Sequence, residues 1–159
     1  AHYPLVSQYV GFDAGLNRAE APPATTLPGT VYECPRGNPA WSEKVAIFDS
    51  SVRLAGWRLP QVDAAMDKFC YIDPEADAAT TTAAMAALRA AYPTTAIVYT
   101  TMPLTTGEDA ENVQRNQYNQ AVRVHCMSTG AVLYDLADLD AWLAQRRRGS
   151  TSEIGRGGS

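Results

Sequence analysis

Residues 96–138, AIVYTTMPLTTGEDAENVQRNQYNQAVRVHCMSTGAVLYDLAD, carry the reading of the fold. The first six are rich in β-branched side chains, as a strand prefers, and they run into Met102-Pro103, where a residue without an amide hydrogen breaks the ladder. Over residues 112–127, Tyr118, Val122 and His125 recur at helical spacing, and Gly130 just beyond is a natural stop. Residues 131–136 read as the next strand and 137–145 as a short closing helix. Two strands separated by a helix-length segment pair in parallel through a crossover.

The same alternation extends upstream. Residues 64–72, AAMDKFCYI, form an apolar run ended by Asp73-Pro74 and read as a strand. Pro74 opens a helix over residues 75–92, with Ala84, Leu88 and Ala91 on one stripe, Met85 beside it and Pro93 as the stop. Residues 41–54 predict a helix with Trp41, Val45, Phe48 and Val52 inward, and residues 30–33 a strand before it. Nearer the start, where Pro22, Pro23, Pro28 and Pro35 interrupt the pattern, Pro4-Leu5-Val6 reads as a strand end and residues 7–19 as a helix. The expected architecture is a three-layer α/β/α sandwich with a flavodoxin-like parallel sheet. It forms one domain over residues 1–145, followed by a flexible basic, Gly/Ser-rich tail over 146–159.

Composition narrows the function classes. With 159 residues, 46% hydrophobic and 19% charged, the chain can bury a single core and is too apolar to be disordered. A net charge of −4 disfavours nucleic acid and anionic lipid as partners. No apolar run nears the roughly 18 residues of a membrane span, and a start at Ala1 without methionine fits a soluble, processed, exported chain. Cys34, Cys70 and Cys126 are odd in number and widely spaced, so they suggest buried small hydrophobes rather than a zinc site or a disulfide framework.

In sheets of this kind ligands bind beyond the carboxyl ends of the strands, so the segment after each strand is where chemistry is sought. Ser7 then stands at the start of a helix, where the dipole and free N–H groups favour an anion; it is either a nucleophile or an ordinary helix cap. Gly37-Asn38 is either a pair of oxyanion donors or a turn. Asp73, Asp135 and Asp138 can orient or act as a base, or cap helices. Cys70 beside Lys68 reads as a buried thiol rather than a nucleophile. His2 and His125 are the histidines of the chain, and His125 falls on an apolar helix face.

Several segments are similar to the SGNH (GDSL-type) ester hydrolases. Ser7-Gln8-Tyr9-Val10-Gly11 has the serine-to-glycine spacing of the GDSL block. Gly15-Leu16, Gly37-Asn38-Pro39 before a helix containing Lys44, and Lys68-Phe69-Cys70-Tyr71-Ile72-Asp73 resemble blocks of one branch. So do Met102-Pro103-Leu104-Thr105, the helix bearing Asn112, Arg115, Tyr118-Asn119 and Arg123, and Leu133-Tyr134-Asp135-Leu136-Ala137-Asp138. The resemblance implies a serine esterase working on small acyl or acetyl esters through an acyl-enzyme, without metal or organic cofactor. Ser7 would be the nucleophile, and Gly37 and Asn38 would help form the oxyanion hole. The residues themselves offer Asp73 and His125 as acid–base partners, with His125 more readily a core histidine of its apolar helix face. The chain departs from the family where an Asp-x-x-His block is expected, because Asp138 is followed three residues on by Ala141. That departure keeps two alternatives open: a truncated, catalytically incomplete binding domain, and a hydrolase in which carboxylates activate water. A homo-oligomer could supply a base from a second copy.

Overall fold

The computed structural model describes residues 8–11, 30–33, 38–54, 63–106 and 109–153. The elements run β1 (Gln8–Gly11), β2 (Thr30–Glu33), α1 (Trp41–Leu54), β3 (Ala64–Met66), α2 (Ala78–Ala91), β4 (Ala96–Thr100), α3 (Asn112–Thr129), β5 (Val132–Tyr134) and α4 (Leu136–Glu153). The protein is α/β with parallel pairing throughout these strands. β3, β4 and β5 form a three-stranded sheet in that order, while β1 and β2 form a separate two-stranded ladder. Four helices and this sheet are compatible with a three-layer sandwich.

Register sorts the sheet's side chains onto two faces. Ala65 aligns with Ile97, and Tyr99 with Leu133; these four point toward the helices and join the core with Met85, Leu88 and Val122. α2 packs on β4 and touches both α1 and α3, so these three helices share one side of the sheet. On the other side Met66, Val132 and Tyr134 are exposed.

Four expectations need correction. Residues 8–11 are strand, not the first turn of a helix: Tyr9 and Val10 suit extended backbone and pair with Val31 and Tyr32. β3 stops at Met66 although the apolar run continues, because side chains take over the backbone partners beyond it. Thr100 Oγ1 donates to the carbonyl of Asp67, and Arg115 Nε to that of Tyr71. α2 begins at Ala78 rather than after Pro74, since the Asp77 carboxylate accepts from the Thr80 amide and sets the cap there. α4 does not end at residue 145 but continues to Glu153. The bounds of β2 and α1 match expectation, and α3 ends as expected near Gly130, whose φ of 62° is the left-handed cap geometry.

Candidate functional site

Three segments meet at the carboxyl ends of β3, β4 and β5, and side-chain hydrogen bonds tie each to its neighbours. The segment after β3 is anchored from two sides. Phe69 is buried edge-on against Tyr118, with ring centroids 5.5 Å apart. Asp73 is buried with both carboxylate oxygens on Lys44 Nζ, at 2.7 and 2.5 Å, and its Oδ2 accepts from the Cys70 amide at 3.0 Å. Lys44 itself is fully buried. It lies in the first turn of α1, where its amide donates to the carbonyl of Ala40. The ion pair therefore ties the first turn of α1 to the Cys70–Asp73 turn.

The segment after β4 is held by α3. The Met102 amide donates to Asn119 Oδ1 at 2.6 Å, and Asn119 Nδ2 donates to the Met102 carbonyl at 2.9 Å. Farther along, the Thr105 hydroxyl donates to Asp109, and the buried Arg115 reaches Asp109 Oδ2 at 2.8 Å, Asn112 Oδ1 at 3.0 Å and Glu111 Oε2 at 2.6 Å. These bonds, the one from Thr105 foremost, hold the Asp109 carboxyl down at about 2.

After β5, Asp135 accepts from Arg123 on both oxygens, at 2.7 and 2.8 Å, and from Thr101 Oγ1 at 2.9 Å. The Arg123 hydrogen bonds outweigh partial burial and hold the Asp135 carboxyl below its usual range. Thr101 Oγ1 also accepts from the Ala137 amide, which joins the end of β4 to the start of α4.

The sequence-derived candidates fall as follows. Ser7, Gly37 and His2 lie outside the described residues; because Gln8–Gly11 is strand β1, Ser7 precedes a strand in the sequence and does not open a helix after one, as the sequence reading expected. Asn38 is exposed beside the start of α1. Asp73 is at the expected edge but committed to Lys44. His125 is half-buried one turn before the end of α3 that feeds the amino end of β5, and its ring packs on Tyr99 with centroids 5.1 Å apart. Its partners and those of Asp73 are thus separate, and neither donates to or accepts from the other.

Cys126 is buried, and burial raises its thiol pKa, as expected of an inert core cysteine. Cys70 is half-buried and not bridged. Among the described residues no three His, Cys, Asp or Glu side chains converge to hold a metal ion, and no helix is long and apolar enough to cross a membrane.

The sequence reading gave no role to the groups that organise this edge: Lys44, Thr101, Arg115 and Asn119. A signal was present. Lys44 stands on the stripe of Trp41, Val45 and Phe48, and Arg115 and Asn119 on that of Tyr118 and Val122, so helical spacing already placed them inward. No family model, no curated protein and no solved structure matches this chain.

Proposed function

We propose that the chain is an SGNH-like serine ester hydrolase acting on small acyl or acetyl esters. The architecture would be a three-layer α/β/α sandwich of flavodoxin-like type. In this reading the Ser7 hydroxyl attacks the ester carbonyl, the ester C–O bond breaks and the alcohol leaves with the proton lost by the hydroxyl; water then cleaves the acyl-enzyme, releasing the carboxylic acid and restoring the Ser7 hydroxyl. The Asn38 amide and the Gly37 N–H steady the oxyanion, which exists only in the transition state and its intermediates. The supporting observation is convergence: the Cys70–Asp73 turn, the Met102–Thr105 loop and Asp135 follow strands at the edge where α/β proteins bind ligands, and the Lys44–Asp73 pair ties the start of α1 to them.

A second reading, a catalytically incomplete SGNH-like domain that binds without turnover, draws on two observations. The carboxylates Asp73, Asp109 and Asp135 are each tied to a cation of the protein itself, and His125 is at the far end of α3. The carboxylate-and-water mechanism is weakened at Asp135, because a carboxyl held below its usual range by Arg123 is a poor proton acceptor.

The deciding experiment compares the wild type and Ser7→Ala on a p-nitrophenyl acyl series, with circular dichroism confirming that both are folded. Loss of turnover in Ser7→Ala supports the esterase. Equal rates remove Ser7 as the nucleophile. Absence of turnover in both, with ester-induced shifts in an NMR spectrum, selects the binding domain.

A further inference from the structure

Among the groups the proposed reaction does not use, Lys44 is the most costly to place. It is a cation with no exposed surface, paired with a carboxylate that is itself buried. Removing two charges from water consumes most of what their attraction returns, and an apolar pair of similar volume commonly does as well or better for stability. The pair does supply direction. Two short contacts to Nζ, with the Cys70 amide on the same carboxylate, fix where the first turn of α1 lies against the turn after β3.

We propose that Lys44 is a positioning residue: through Asp73 it sets the amino end of α1, and with it Asn38, in register with the Cys70–Asp73 turn, so that the amide donor faces the site. This rests on the esterase reading for its catalytic consequence, though the positional claim stands by itself. Asn38 precedes Lys44 by less than two helical turns, and the Ala40 carbonyl is the first to accept an intrahelical bond, from the Lys44 amide. A displacement of the Lys44 ammonium therefore reaches Asn38 through six residues of chain.

The test uses Lys44→Met/Asp73→Leu, which removes both charges together and leaves neither stranded, and Asp73→Glu, which keeps the pair but lengthens one arm. Both are assayed on p-nitrophenyl acetate and by amide NMR. With the fold intact, kcat should fall about 100-fold in the double variant, the scale of a 1 Å misplacement, with KM little changed. Asp73→Glu should show a smaller loss of the same kind. The Asn38 side-chain amide, six residues before Lys44, should shift in both. An unmoved Asn38 resonance in whichever variant folds overturns the proposal, and so does a wild-type kcat there. If the wild type shows no Ser7-dependent turnover the esterase reading fails separately, and the Asn38 resonance still decides whether Lys44 positions this segment.

Discussion

The side chain of Asn119 substitutes for a neighbouring strand: its amide accepts from the Met102 N–H at 2.6 Å and donates to the Met102 carbonyl at 2.9 Å, all of it buried. One α3 residue thus satisfies both backbone groups of the residue at which β4 gives way to the loop. Asn119→Ala should destabilise the protein by about 3 kcal/mol, since two buried backbone groups lose their partners. Asn119→Asp, which cannot donate when ionised, should recover only part of this. Urea unfolding of the three proteins checks the order.

Thr101 works from the other side of the same junction, donating to Asp135 and accepting from the Ala137 amide. Thr101→Val keeps the shape and loses both bonds. A loss of about 1–2 kcal/mol follows, measured as a shift of the urea midpoint at unchanged slope.

The Asp109 carboxyl sits at about 2 in the folded chain against an ordinary 3.8, through Thr105 and Arg115. A lowered folded value means that the carboxylate's contribution is complete above the ordinary value and disappears as pH falls toward 2. Asp109→Asn should therefore be less stable than the wild type at neutral pH, and the difference should close between about 4 and 2. A difference that stays constant over this range would contradict the assignment.

At the end of α3, Gly130 has a φ of 62°, and a methyl group added there would meet nothing within 4 Å. The cost of Gly130→Ala is then conformational alone, about 1 kcal/mol, and Gly130→Asn should cost less because asparagine tolerates the left-handed region. Thermal unfolding of both variants would reveal any steric contribution as an excess over this figure.

Among the described residues the buried Tyr99 hydroxyl has no hydrogen-bond partner, and burial raises its pKa. Tyr99→Phe deletes an unsatisfied group and should leave stability unchanged or raise it by up to about 1 kcal/mol. A clear loss would mean that the hydroxyl has a partner such as an ordered water, which denaturation of the two proteins would detect.

How far the sequence could be read depended on who satisfies the backbone. α1 and β4 were legible because their own periodicity and breakers define them: Trp41, Val45, Phe48 and Val52 on one stripe, and Pro103 closing the β-branched run. The end of β3 was not, since Asp67 and Tyr71 give their carbonyls to Thr100 and Arg115, which are distant in sequence. The helix reading of residues 8–11 failed for a related reason: the β preference of Tyr9 and Val10 is expressed through pairing with β2, which is long-range. At the candidate site, the strand ends pointed to the edge where the ties of Asp73, Met102 and Asp135 gather. The ties of Asp73 and Asp135 to Lys44 and Arg123 depended on contacts that no local pattern displays.

The Lys44–Asp73 contact spans 29 residues of chain, and this constrains the order of events during synthesis. A nascent chain ending anywhere before residue 73 contains the α1 segment but not the anion that makes burial of its ammonium tolerable. α1 must therefore wait, solvated, until the turn after β3 has left the ribosome, and fragments cut between the two residues should fail to dock this helix however helical they are alone.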